Sequence, residues 1–222
     1  MFKKYLFILF IISGIYPTNK IYTEHFNAFD IKNLNPQTIE VNISIGELIL
    51  NSINLNDENY IELLIHNSYP SKDIGSPNLP MLNKIIEIPR GSSIRLEIIE
   101  DDIDIYNIED YNINNLIVPV QPSNPKSGPK NNFIINQDIY DANFFFKNEF
   151  IQVVEKGLIR EVKIANLMIS PIEYNPIENQ IILHKNIKFK IHFDGANIDL
   201  TNEKKIKAYS PYFEPIFYNS IS

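Results

Sequence analysis

The sequence predicts an all-β protein, an antiparallel β-sandwich or jelly-roll-like fold with few or no helices. Two observations carry this prediction. Short apolar runs recur at near-regular spacing and alternate with polar residues at a period of two, which is typical of half-buried strands. In addition, no stretch of a dozen residues keeps apolar side chains at i, i+3 and i+4 between capping residues, as a long amphipathic helix requires.

Length and composition fit one globular domain. The chain has 222 residues, of which 44% are hydrophobic and 12% aromatic, and this composition argues against disorder. The formal net charge is -7 and the basic residues are dispersed, which disfavours nucleic acid and anionic membrane surfaces as partners. The absence of cysteine excludes disulfides, thiolate zinc sites and a thiol nucleophile.

Residues 1–20 have the organisation of a secretory signal peptide. Two lysines precede the apolar run 5–12, and small residues follow it. The run is shorter than the ~20 apolar residues that span a bilayer. We expect cleavage between Ser13 and Lys20, and a chain that is secreted to the periplasm or the exterior with no later membrane anchor. The alternative is a buried N-terminal strand.

Three runs are expected to form strands with one buried face. Their inward residues are Ile39, Val41, Ile43 and Ile45 in TIEVNISI; Ile94, Leu96 and Ile98 in SIRLEII; and Ile187, Phe189, Ile191 and Phe193 in IKFKIHF.

Two turns are expected further along the chain. Residues 150–169 read as a hairpin whose turn is Glu155, Lys156 and Gly157, because glycine adopts positive φ readily. The segment YNPIENQ, residues 174–180, predicts the next turn.

The segment VPVQPSNPKSGPKNN, residues 118–132, interrupts the strand pattern. Its four prolines each lack the N–H that a central strand needs for its hydrogen-bond ladder. The segment is therefore an exposed loop or an extended arm. Two interpretations remain open: a surface connection between strands, or a segment that lies along another protein.

Residues 100–110 concentrate carboxylates, and two interpretations follow. Asp101, Asp102 and Asp104 are a calcium option, because alternate carboxylates can supply oxygen ligands. The glycine and terminal glutamate of a calcium-binding loop are missing, which favours a solvated strand edge or loop. The four histidines are not paired at metal-ligand spacing, so the sequence assigns no metal and no cofactor. These histidines are His25, His66, His184 and His192.

Several motifs, taken in order, resemble the propeptide of gingipain-type cysteine peptidases. They are the G-x-P-x-L-P turn of GSPNLPMLNKIIEIPRGSSIRLEII, its I-x-I-P-x-G step, the P-x-Q-P junction, the D-x-x-I-Y segment, the run from Gly157 to Ile172, the turn at Tyr174-Asn175-Pro176 and the closing S-P-x-F-E at 210–214. The resemblance covers most of residues 35–222.

The resemblance implies a role in binding rather than in catalysis. Such a propeptide folds as a β-sandwich, covers the cleft of a cysteine endopeptidase, keeps the zymogen latent and assists folding. The nucleophile lies in a catalytic domain downstream, so the missing cysteine is expected and this chain is not itself an enzyme. The expected organisation is a signal peptide over 1–20, a propeptide domain over 21–205 and a tail over 206–222 at the junction to a catalytic domain. The partner implied is the cognate catalytic domain.

The resemblance also suggests which residues enter the cleft. These peptidases favour Arg or Lys before the scissile bond, so a basic residue on an exposed loop is the expected plug. The candidates are Lys126 and Lys130 in the proline-rich segment and Arg160. For each, the alternative is a solvated charge without a specific role. For the whole chain, the alternative is a free-standing secreted β-sandwich module for adhesion or carbohydrate binding.

Overall fold

The computed structural model describes residues 18–129 and 131–208. Within these residues the chain forms eleven strands: β1 (Thr18–Tyr22), β2 (Ala28–Asn35), β3 (Thr38–Ser44), β4 (Glu47–Leu55), β5 (Glu58–Ile65), β6 (Leu82–Glu87), β7 (Ser93–Asn107), β8 (Ile151–Ile159), β9 (Val162–Ile169), β10 (Ile172–Asn175) and β11 (Gln180–Asp194). Helical segments are a 3-10 turn at Ile108–Tyr111, the single turn α1 (Gln137–Tyr140) and the helix α2 (Ile198–Ala208). The predicted all-β class is confirmed.

The strands form three antiparallel sheets within the described residues. One sheet has the order β1-β4-β5, and another has the order β6-β9-β8. The largest has the order β10-β11-β3-β2, with β7 paired along the length of β11. The long strand β11 is therefore the centre of that sheet, and β7 pairs with it alone among the described strands.

A single apolar core joins the three sheets. Ile43 of β3, Leu50 of β4 and Leu167 of β9 belong to one cluster of buried residues, each at most 1% exposed. The alternation predicted in TIEVNISI and IKFKIHF is confirmed, because every inward residue named for those two runs is at most 1% exposed. Burial of large aliphatic side chains at this level is the main stabilising contribution to such a fold.

The prediction for SIRLEII is wrong in part. These residues do form a strand, β7, but only Ile94 is half-buried, while Leu96 is 37% and Ile98 is 54% exposed. Leu96 pairs with the buried Ile191 and therefore shares its face of the sheet. The physical reason for the exposure is that β7 is an edge strand, since it pairs with β11 alone among the described strands. The packing that buries β11 does not extend to it.

The predicted hairpin at 150–169 exists as β8 and β9, but its turn lies elsewhere. Arg160 and Glu161 form a two-residue turn, and both have positive φ, 45° and 66°. Gly157 does take positive φ, 114°, at a register shift inside β8 rather than at the turn. The predicted turn at 174–180 is confirmed between β10 and β11.

The described residues extend into both segments that the sequence predicts to flank the propeptide domain. Strand β1 begins at Thr18, and Lys20 pairs with Ile49 of β4, so the last residues of the predicted signal segment belong to a sheet. The rest of that segment, 1–17, lies outside the described residues. At the other end α2 extends to Ala208, and the remainder of the predicted tail, 209–222, also lies outside. None of the helices formed by the described residues has the length and hydropathy of a membrane span.

Candidate functional site: a braced proline-rich loop

The chain that enters the proline-rich loop is fixed to the sheet β1-β4-β5. The amide of Val118 donates to the carbonyl of Ile61 in β5 at 2.9 Å. Two residues later, Val120 donates to the carbonyl of Ser76 at 2.9 Å, and Gly75 donates to the carbonyl of Val120 at 2.8 Å. The segment 118–120 is thus held between β5 and the chain at 75–76, which makes it a rigid base for the residues that follow.

A buried pair of tyrosines fixes the same entry segment from the core side. The hydroxyl of Tyr140 donates to the carbonyl of Ile117 at 2.7 Å, and the amide of Ile117 donates to the hydroxyl of Tyr174 at 3.4 Å. Both tyrosines are at most 4% exposed, and burial raises the pKa of each hydroxyl well above its usual range. The hydroxyls therefore stay protonated and keep these hydrogen bonds at physiological pH.

Amide side chains close the loop across its stem. Gln121 donates through Nε2 to the carbonyl of Ile134 at 2.6 Å, and its Oε1 accepts from the Ile134 amide at 2.9 Å. Nearer the tip, Asn131 donates to the carbonyl of Ser123 at 2.9 Å, and its own amide donates to Asn124 at 3.1 Å. Four hydrogen bonds thus tie the outgoing chain to the incoming chain around residues 122–130.

The tip beyond these bonds projects into solvent. Every residue from Ser123 to Pro129 is exposed, including Lys126. Gly128 has φ of 106°, and a Cβ built there would meet no atom within 4 Å. The structure therefore presents Lys126 on a loop whose ends are fixed and whose tip is open. Lys130 is not among the described residues.

Apolar grooves flank this loop. One, of about 500 Å³, runs beside the entry segment and is lined by Ile53, Leu55, Ile74, Val120 and Pro122 among others. A second, of about 270 Å³, is lined by Leu55, Pro122 and Phe133 together with amide side chains that include Asn124 and Asn131.

Arg160 occupies a different part of the fold. It is exposed at the turn between β8 and β9, and its neighbour Glu161 accepts a hydrogen bond from Arg90 at 2.8 Å. Lys204 of α2 lies 3.8 Å from the same carboxylate. Arg160 therefore belongs to the end of the fold where α2 packs, whereas Lys126 stands on the loop braced against β5.

The predicted calcium residues already contact basic side chains. Lys185 lies at a bulge in β11, and its ammonium is 3.1 Å from Asp104 and 3.5 Å from Asp102. Asp101 contacts Nδ1 of His184 at 2.7 Å. A calcium ion bound by these three aspartates would have to displace both partners, so calcium at this position is a proposal that a titration with Ca²⁺ can test.

Comparison with known proteins gives this geometry a family context. The family model described as Propeptide_C25 matches residues 33–210, which is most of the chain. The chain belongs to the Propeptide_C25 family. This confirms the resemblance to gingipain-type propeptides, and since the chain contains no cysteine, it does not carry the nucleophile of a cysteine peptidase.

The curated relatives of this Propeptide_C25 chain include Lys-gingipain and Lys-gingipain W83 of Porphyromonas gingivalis. Each is 29% identical to it over 180 residues. The aligned part covers 80% of this chain and 10% of the relative, so the chain spans about a tenth of the length of the curated relatives it matches.

Two solved structures share its fold. One is described as structural insight into zymogenic latency of gingipain K from Porphyromonas gingivalis; it superposes with a TM-score of 0.76 at 26% identity and covers 81% of this chain and 100% of the other. The second is a complex of Porphyromonas gingivalis RgpB pro- and mature domains, with a TM-score of 0.64, 14% identity and coverage of 76% and 84%.

The braces Gln121 and Asn131 are the site residues that sequence reasoning missed. The prolines alone predicted an exposed segment over 118–132, and the structure confirms this for 123–129, 131 and 132, whereas Val118 and Pro119 are buried. A local signal for the closure was present in the amide residues that flank the tip, Gln121, Asn124 and Asn131, since such side chains often bond to nearby backbone. Their partners, however, become visible only when both ends of the loop are placed.

Proposed function

We propose that this Propeptide_C25 chain is the inhibitory propeptide of a secreted gingipain-like cysteine endopeptidase and that the loop 122–130 occupies the peptidase cleft. The observation that carries the proposal is the combination of a fully exposed tip with a hydrogen-bonded stem. The two grooves beside the loop stem would supply further contact surface for the cognate catalytic domain, which is the proposed partner.

The braces explain how the loop would inhibit rather than serve as a substrate. A flexible loop loses conformational entropy when a cleft orders it, whereas a loop already held by its stem loses less and binds more tightly. If the peptidase cut the tip, Gln121 and Asn131 would keep the two new ends close together. The cut chain would then stay in the cleft and favour religation over release.

Lys126 is the proposed plug for the specificity pocket. It is the basic residue at the exposed tip, and the curated relatives are named Lys-gingipain, which is consistent with a lysine at that position. Lys130 belongs to the same loop and is the second candidate. Arg160 is the third, and because it projects from the β8–β9 turn, it would require the peptidase to approach the α2 end of the fold instead.

Assistance with folding and delivery by the signal segment complete the proposal. A propeptide that binds the native catalytic domain but not the unfolded one stabilises the native state by mass action, and this is the basis of the proposed chaperone role. Residues 1–20 would direct the chain to the periplasm or the exterior.

The test is a titration of the purified chain into an activated gingipain-type peptidase. Hydrolysis of Lys and Arg peptide substrates is followed separately, and the variants are Lys126→Ala, Lys130→Ala and Arg160→Ala. We expect saturable inhibition that Lys126→Ala weakens at least about tenfold, as for a central anchor of an interface. Arg160→Ala tests the third candidate, and Lys32→Ala in β2 is the matched control for the loss of one exposed positive charge.

Each outcome has a distinct meaning. If Arg160→Ala weakens inhibition and Lys126→Ala does not, the peptidase binds the α2 end and the loop assignment is wrong. If the folded chain does not inhibit its cognate peptidase at all, the latency role is wrong, and binding to polysaccharide becomes the next property to measure.

A further inference from the structure

The outer edge of β7 is open along its length. The strand runs from Ser93 to Asn107 and, among the described strands, pairs only with β11. Outside that ladder, residues 93–107 form no backbone hydrogen bond within the described part of the chain. About half of the backbone N–H and C=O groups of an edge strand point away from its neighbour, so β7 offers unused donors and acceptors over about 50 Å.

The middle of β7 is exposed on both faces. Every residue from Arg95 to Asp101 is exposed, and the strand contains neither proline nor glycine. Five apolar side chains of β7 are at least 37% exposed: Leu96, Ile98, Ile99, Ile103 and Ile105. Natural edge strands are commonly short, covered or interrupted by proline, because an open apolar edge pairs with other chains. In β7 the edge is interrupted only by a bulge at Ile99, which leaves a straight part on each side.

The charges of β7 match those of the strand that it already pairs with. β7 carries five carboxylates and one guanidinium, whereas β11 carries three lysines and two histidines with one carboxylate. The register places Glu97 opposite Lys190 and Glu100 opposite Lys188. Opposite charges at facing positions stabilise the pairing of two strands, and like charges destabilise it. The strand that β7 accepts within this fold therefore alternates basic with apolar side chains, as in IKFKIHF at 187–193.

A second copy of this chain does not fit the free edge. Five carboxylates and one guanidinium give each β7 a formal charge of -4, so two copies that paired edge to edge would repel each other. The carboxylates remain accessible beside β11, since the side chain of Glu97 is 51% exposed and that of Asp102 is 46% exposed. A strand at the free edge would meet the same charges that β11 meets, and basic side chains are complementary to them.

We propose that the free edge of β7 binds an extended segment of another protein in which lysine or arginine alternates with apolar residues. The segment adds to the sheet as a further strand: backbone hydrogen bonds supply affinity, and the alternation of charge supplies specificity. Its apolar side chains cover Ile103 and Ile105, which share one face of β7 beyond the bulge. This edge belongs to a different sheet from the one that holds the loop 122–130, so the binding is separate from the proposed inhibition.

The test is a calorimetric titration of the full chain with three peptides of equal length. In the first, lysine alternates with valine; in the second, glutamate replaces lysine; the third keeps the lysines but has proline at two interior valine positions. We expect saturable binding of the lysine–valine peptide that weakens as salt is added, together with slower amide hydrogen exchange in residues 93–107. The glutamate peptide, which is repelled, and the proline peptide, which cannot complete the ladder, should each bind at least about tenfold more weakly.

Two variants of the chain locate the binding. Ile105 is 61% exposed, so Ile105→Lys should leave the unfolding temperature unchanged, and its added positive charge should lower affinity for the lysine–valine peptide at least about fivefold. Leu158→Lys is the matched control, because Leu158 is 53% exposed in β8, which is also an edge strand. The proposal is overturned if the lysine–valine peptide does not bind, if the glutamate or proline peptide binds equally well, if Ile105→Lys binds as the parent does, or if Leu158→Lys weakens binding as much.

Discussion

Removing the positive charge that faces Glu87 should destabilise the domain strongly. Glu87, at the end of β6, is 1% exposed, and its Oε2 lies 3.0 Å from the ammonium of Lys205 in α2, whose side chain is 16% exposed. Lys205→Met leaves a carboxylate almost completely buried opposite an apolar side chain. Breaking a buried pair in this way costs about 3–5 kcal/mol, and we expect about 3 kcal/mol here because Lys205 retains some contact with water.

The assay is urea unfolding of the parent chain and three variants. Lys205→Met combined with Glu87→Gln should recover at least half of the loss, since the amide keeps an acceptor oxygen but carries no charge. Lys207→Met is the matched control: its side chain is 66% exposed and pairs with Glu203 within α2, so the free energy of unfolding should hardly change. A loss below about 1 kcal/mol for Lys205→Met would equal that of an exposed ion pair and would refute the burial argument.

Three further changes test other parts of the structure. Gly46→Ala should lower the free energy of unfolding by about 1–3 kcal/mol in a urea titration, because its Cβ would lie 2.5 Å from the His25 carbonyl. Lys185 lowers the pKa of Glu24, so this pair stabilises the fold above pH 4.5, and its contribution disappears as the pH falls further. Lys185→Met should therefore flatten the acid dependence of the unfolding temperature. An unchanged slope would contradict this prediction. Gln121→Ala should weaken inhibition about tenfold and lower the unfolding temperature by only a few degrees, since it removes two exposed stem hydrogen bonds worth up to about 1 kcal/mol each but no core contact.

Alternation in sequence predicts which side chains share a face but does not predict what covers that face. In β11 the pattern and the burial agree, because Phe189 and Ile191 face the core formed with the other sheets. In β7 the same pattern exposes Ile98, which pairs with Phe189 but lies one strand further out. Only the order of strands in the sheet distinguishes these cases, and that order depends on long-range pairing.

The turn of the β8–β9 hairpin shows a second limit of sequence reasoning. Glycine is the usual residue for positive φ, and Gly157 does adopt it, but at a bulge. The actual turn uses Arg160 and Glu161, neither of which signals a left-handed backbone. The pairing of the two strands imposes the conformation on them.

The candidate site was predictable in outline. Its prolines predicted an exposed segment between strands, which holds for Pro125 and Pro129 but not for the buried Pro119. The bracing by Gln121 and the buried hydrogen bond from Tyr140 connect residues that are 13 and 23 positions apart.

The most direct test of the proposed latency role is the inhibition constant of Lys126→Ala relative to the parent chain against the cognate peptidase, measured with both variants shown to be folded. We expect tight inhibition by the parent chain and a loss of at least about tenfold for Lys126→Ala, with Arg160→Ala indistinguishable from the parent. Equal inhibition by the parent and Lys126→Ala would contradict the claim that the braced loop delivers Lys126 to the cleft.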